Sequence, residues 1–205
     1  SRDPGENSVT TTETQHASET HRPLRADARR NRERILDSAR QVFADCGAEA
    51  QIDDVARHAE VGVGTVYRHF PTKEALLAEL VRLKFVVFTE RGRAALEADG
   101  EPFEVLEDLM RGNAALAAED AGIQFAIANA GQQAWTEAKA EQEELIAATE
   151  ELLERARRAG TIRPDIRATD IAMLMCGVCT TMAPRPDFDW RRHLDLVIDA
   201  IRPRG

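Results

Sequence analysis

Thr65, Tyr67, Arg68 and His69 place four hydrogen-bonding side chains within five residues, and Lys73 follows shortly after. Their donors and lengths suit phosphate oxygens and base edges better than bond-making chemistry. The other constellation is Cys176-Gly-Val-Cys179, a C-x-x-C that could hold a metal or a thiol–disulfide couple. A zinc site needs two further ligands, and neither a second cysteine pair nor a paired histidine occurs. Redox pairs of this kind favour a helix N-terminus, whereas these cysteines fall mid-helix among apolar residues. Packing is their expected role, with redox or metal sensing through Cys176 and Cys179 as the alternative. Cys46 has no partner in sequence. Glu141, Glu143, Glu144, Glu150 and Glu151 share a long helix with arginines and read as a solvated face rather than acid–base pairs. Without a phosphate-binding glycine loop, a nucleophile elbow or a histidine-rich motif, no enzyme, metal or cofactor is expected.

The elements that must carry the first constellation are short. Ile52, Val55, Ala56 and Ala59 recur at helical spacing, Gly62 and Gly64 bracket a tight connection, and Val66 and Phe70 sit four apart on a second helix. Pro71 stops it, since proline cannot continue a helix and disfavours helical geometry in its predecessor. Two short helices across a glycine-bearing turn form a helix-turn-helix. With Val66 and Phe70 inward, the polar residues face outward, and DNA binding is the reading.

The run Val55-Ala56, then Ala59-Glu-Val-Gly-Val-Gly-Thr-Val-Tyr-Arg-His-Phe-Pro-Thr-Lys-Glu74 and Leu76, closely resembles the signature of TetR-type transcriptional regulators. The match runs from about residue 31 to 77. The resemblance implies phosphate contacts from Tyr67, His69 and Lys73, and base approach by Val63, Gly64 and Thr65. It also marks departures: Ala50 and Gln51 where the family caps its second helix with Thr or Ser, Glu60 where it prefers glycine, and Val63 where Lys or Arg is common. Glu60 is thereby expected in a left-handed conformation. Arg29, Arg30, Gln51 and Arg68 complete the expected DNA-binding set.

The alanine, leucine, glutamate and arginine content and the scarcity of aromatics argue for an all-α protein. Its expected layout is a disordered tail over 1–21, a three-helix helix-turn-helix domain with a basic arm over 22–77, and a larger helical domain for effector binding and dimerisation over 78–205. No run reaches membrane-span length and no signal segment opens the chain, so a cytoplasmic protein is expected. The net charge of −9 divides unevenly: residues 22–84 hold 12 Lys and Arg against 10 Asp and Glu, whereas 85–205 hold 14 against 22. Positive charge is therefore local to the helix-turn-helix and its approach, where arginines occupy 22, 25, 29, 30, 32, 34 and 40.

Apolar periodicity predicts a first helix over about 30–45, a fourth from a Thr72 cap to about 98, and a fifth over about 103–118. Next come a short helix ending near Gly131, a long one over 135–159, and two last helices over about 169–182 and 187–202. Those last two are unusually apolar. The resemblance implies that they pair with their symmetry mates, through Leu174, Val178, Met182, Leu194, Val197, Ile198 and Ile201. It also implies an effector cavity, with Phe103, Met110, Asn113, Phe125, Asn129, Trp135, Met173 and Cys176 as candidate lining. Few ionisable residues interrupt these faces, which points to a small apolar or aromatic effector; the resemblance implies repression of a palindromic operator by a homodimer.

Overall fold

Helix-forming residues ahead of Ile35 carry the first helix far beyond its apolar stripe. The computed structural model describes residues 13–119, 135–182 and 189–203, with side chains from residue 26 onward except Ala48. In it α1 spans Glu13–Cys46, so residues 13–21 are helical rather than part of a disordered tail. An apolar stripe marks only the stretch of a helix that is buried, and Gln, Ala and Glu propagate a helix without one. Residues 1–12 of that tail lie outside the described residues.

After a single 3-10 turn at Gly47–Glu49 come α2 (Ile52–His58), α3 (Val63–His69) and α4 (Lys73–Glu97). Then follow α5 (Pro102–Glu119), α6 (Lys139–Ala159), α7 (Ala168–Thr180) and α8 (Trp190–Ile201). Every described element is helical, as composition implies. The Thr72 hydroxyl accepts from the Ala75 N–H at 3.1 Å and starts α4 as expected. Gly160, left-handed at φ 70°, ends α6. One boundary differs: residues 135–137 are helical, but a turn at Ala138 separates them from α6. The short helix expected before Gly131 falls outside the described residues, as do Phe125 and Asn129.

Two apolar cores result. Ile35, Ala39 and Phe43 of α1, Val55 of α2, Val66 of α3 and Leu76, Leu77, Leu80 and Val81 of α4 form the first. Phe103, Leu106, Leu152, Leu153, Ile171, Val178, Leu194 and Ile198 belong to the second, drawn from α5 to α8. α4 serves both, since Phe88, Ala95 and Leu96 pack on the second core.

This packing corrects the interface assigned from sequence. Val178, Met182, Leu194, Val197, Ile198 and Ile201 are all buried within the protomer, and the half-buried Leu174 packs on the same core. The most apolar face of each helix turns to its own core, and a smaller apolar set remains outside. Met173 is 67% exposed and Leu196 57% exposed.

Where α4 crosses α6, Gly92 sets their separation. A Cβ there would come within 3.3 Å of a Leu145 methyl and 3.4 Å of the Ala148 Cβ. Gly92→Val, which adds bulk that neither neighbour can fully yield to, is expected to cost about 1–3 kcal/mol. Thermal denaturation should show it as a Tm lowered by several degrees.

Candidate functional site

α3 is seven residues long and held from beneath by Val66, with Phe70 just past its end; both are buried. That anchoring turns Val63, Gly64, Tyr67 and Arg68 to solvent, with Thr65 and His69 half-buried at the flanks. Tyr67 is 47% exposed, high for an aromatic ring, and nothing lies within 4 Å of where a Gly64 Cβ would stand. The outward set expected from sequence is thus presented together. Gln51, exposed at the start of α2, turns its side-chain amide to the Glu49 carbonyl at 2.9 Å. Asp54 supplies the missing cap, accepting from the Gln51 N–H at 3.1 Å. That backbone bond, with the Arg57 guanidinium second, holds the Asp54 carboxyl below its ordinary value.

The turn before α3 carries Glu60 at φ 53°, the left-handed conformation expected for it. Arg34 braces that turn from α1, donating to the Ala59 carbonyl at 2.5 Å. Lys73 sits over the Phe43 ring at 5.7 Å. Arg29 and Arg30 stay on the exposed face of α1, in pairs with Glu33 and Asp27. Surface pairs of this kind are worth little and yield readily to a phosphate.

Arg32, by contrast, has a structural post. It reaches Glu79 of α4 at 2.7 Å and covers the Phe70 ring at 5.3 Å. Glu79 also accepts from Arg82 at 2.9 Å, and Arg82 continues to Glu141 of α6 at 3.0 Å. Burial works against ionising Glu79, but the Arg82 and Arg32 hydrogen bonds outweigh it and hold the carboxyl below its ordinary value. The chain Arg32–Glu79–Arg82–Glu141 ties the helix-turn-helix to the second core, and no sequence motif announces it.

On the other side of this network lies a cavity of about 510 Å³ between α4, α5, α6 and α7, a size that suits a small ligand. Met110, Asn113, Trp135 and Cys176 line it as expected from sequence. Phe103 does not, being buried under the Arg202 guanidinium 4.3 Å from its ring. Met173 points to solvent on the far face of α7. Sequence reasoning missed Lys84, Phe85 and Phe88 on α4, and Ile171, Met175 and Cys179 on α7. The signal for Lys84 was available: it is a charge four residues from both Leu80 and Phe88 on an apolar stripe. Phe85 meets Phe88 and Trp135 edge-on, at 6.1 and 6.2 Å between ring centroids.

Burial raises both thiols of the C-x-x-C, Cys179 to about 11 despite the opposing pull of the Lys84 charge. That is the reverse of a reactive or metal-binding thiolate, and no cluster of metal-ligating side chains occurs among the described residues. Nor is any helix of the described residues long and apolar enough to cross a membrane.

Comparison with known proteins matches residues 35–80 to the model of bacterial regulatory proteins of the tetR family. Residues 101–203 match the model of a transcriptional regulator SbtR-like C-terminal domain. A TetR transcription regulatory protein from Mycobacterium vanbaalenii is 36% identical, with a TM-score of 0.60 over 88% of this chain and 100% of that one. The transcriptional repressor KstR of Mycolicibacterium smegmatis is 41% identical over 80 residues, which is 38% of this chain but only 39% of KstR. The Bacillus subtilis regulator FadR, solved in complex with stearoyl-CoA, shares the fold at 20% identity and a TM-score of 0.66, covering 82% of this chain and 98% of that one.

The Glu79 network makes stability pH-dependent with a definite sign. A carboxyl lowered in the folded state contributes fully above the ordinary glutamate value of 4.5, and the contribution fades as pH falls through the folded value. Denaturant titrations of the wild type and Glu79→Gln should therefore differ by a constant amount at neutral pH. The gap should narrow below about 4.5. A gap that ignores pH would show that the carboxylate charge is not what the arginines hold.

Proposed function

The chain belongs to the TetR family of bacterial transcriptional regulators, and from that premise we propose that it is an effector-responsive repressor that binds a palindromic operator as a homodimer. One observation carries the reading: a single helix, α4, helps bury the reading helix at one end and walls an apolar cavity further along. Residues 22–77 then form the DNA-reading part and 78–205 the sensing and dimerising part, with α4 running across the division. The long helix α1 supplies the basic approach.

Arg29, Arg30, Tyr67, His69 and Lys73 are assigned to phosphates, and Gln51, Val63, Gly64, Thr65 and Arg68 to the groove surface, where bare Gly64 allows close approach. The effector is a small, largely apolar or aromatic molecule, in keeping with Phe85, Phe88, Trp135 and Met110 in the lining. The dimer uses the outward faces of α7 and α8, where Met173 and Leu196 leave apolar surface exposed. A two-fold axis there matches the symmetry of a palindrome. The raised thiols speak against redox sensing.

Fluorescence anisotropy with the DNA upstream of the protein's own gene tests the first half. Binding should weaken steeply with salt, and Arg29→Ala with Arg30→Ala should lower the salt slope by about 1 for each phosphate these arginines neutralise. Salt-insensitive or absent binding there would sink the regulator reading. For the second half, sedimentation of Met173→Glu with Leu196→Glu should give monomers of undiminished helicity; intact dimers would place the interface elsewhere.

A further inference from the structure

Arg91 of α4 reaches across to α5 and donates from Nε to the Asn113 side-chain oxygen at 2.8 Å. It can lie there because the residue before Asn113 has no side chain: a Cβ at Gly112 would collide with the Arg91 guanidinium. Arginine carries only donors, so this bond decides how the amide is turned, oxygen to Arg91 and nitrogen away from it. Asn113 lines the cavity, and its amide nitrogen meets no acceptor among the described residues. Hydroxyl and amide donors elsewhere in the wall are committed to the protein itself. Thr149 donates to the Leu145 carbonyl at 2.8 Å, Thr180 to that of Gly177 at 2.7 Å and the Gln142 amide to that of Trp135 at 3.4 Å.

We propose that Asn113 is the specificity-determining polar contact of the cavity, its amide nitrogen donating to a carbonyl oxygen on an otherwise apolar effector. Arg91, lying across the bare Gly112, is the positioning residue that holds the amide for it. The inference rests on the effector-cavity reading above and names the polar group that the effector carries. A ligand entering this space expels water, and an amide N–H left dry gains from any acceptor that arrives with the ligand. A neutral donor is matched by a neutral acceptor, since one amide returns too little to bring a full charge out of water. The Arg91 bond also polarises the amide, which strengthens the bond its nitrogen can donate. A hydrocarbon of the same shape fills the cavity without answering that donor, and selectivity follows from the difference.

Isothermal titration of the full chain with 2-acetylnaphthalene and with 2-ethylnaphthalene, which differ by a carbonyl in place of a methylene, tests this. Asn113→Leu should weaken binding of the ketone about tenfold and leave that of the hydrocarbon level or tighter. Gly112→Ala separates positioning from folding. Alanine is the better helix former, and the group it displaces is the far end of a flexible side chain, so the Tm should not fall. The ketone should nevertheless bind more weakly to Gly112→Ala and to Arg91→Met, with the hydrocarbon unaffected. If Asn113→Leu alters both ligands alike, or neither, the donor assignment is overturned and the cavity reading stands. A ketone that weakens in Asn113→Leu but not in Gly112→Ala or Arg91→Met would overturn the positioning role. Binding of neither ligand by the wild type would bring down the cavity reading and this assignment together.

Discussion

The structure depends on α4 belonging to two cores at once, and on the carboxylate that fixes how it does so. Leu76, Leu77 and Leu80 commit its first half to the helix-turn-helix core, and Phe88, Ala95 and Leu96 commit its second half to the other. Apolar packing alone tolerates sliding and rotation of a helix. Glu79 removes that freedom because it accepts from Arg32 of α1 and from Arg82 of its own helix together. Buried ion pairs contribute little net stability against apolar replacements, and their better-attested use is to specify one arrangement. Here the arrangement specified is that of α1 against α4, the two helices that flank the helix-turn-helix core.

That constraint matters because α2 and α3 cannot stand alone. Helices of seven residues are far below the length at which isolated helices persist in water. They borrow order from α1 and α4 through Val55, Val66 and Phe70, and from Arg34, which anchors a turn bent through a left-handed glutamate. Structural duty thus falls on Arg32 and Arg34, which reach across to Glu79 and to the Ala59 carbonyl, while Arg29 and Arg30 pair along the exposed face of α1. A run of arginines that reads as one basic arm in sequence is divided by the fold into bracing and exposed members.

The same division explains what was legible beforehand. The helix-turn-helix was readable because its apolar positions are local and its turn residues are distinctive, down to the left-handed Glu60. The cavity was half readable: Met110, Asn113, Trp135 and Cys176 were found, whereas Phe103 and Met173 were misplaced. Periodicity shows that a helix has an apolar face but not which neighbour receives it. For the same reason the apolar residues of α7 and α8 were assigned to a partner when the protomer's own core takes most of them. The Arg32–Glu79–Arg82–Glu141 chain was invisible, since Arg32, Glu79 and Glu141 stand on three helices far apart in sequence and no local rule links them.

Cavity and network meet on the same two helices, and this gives the proposed coupling a physical route. Lys84 and Phe85 follow Arg82 within one turn of α4, and Gln142 and Leu145 follow Glu141 on α6. Thr89 of α4 adds a second tie, donating to the Glu141 carbonyl at 3.0 Å. Anything that alters the spacing of α4 and α6 around the cavity therefore acts on the Arg82–Glu141 pair and, through Glu79, on Arg32 beneath the reading helix. A ligand that fits the cavity equally well in every arrangement would shift nothing, however tightly bound. On the proposed reading the effector favours one α4–α6 spacing and DNA another, and the free energy that links them is the difference in fit. Gly92, where α4 meets Leu145 and Ala148 of α6, keeps that spacing tight.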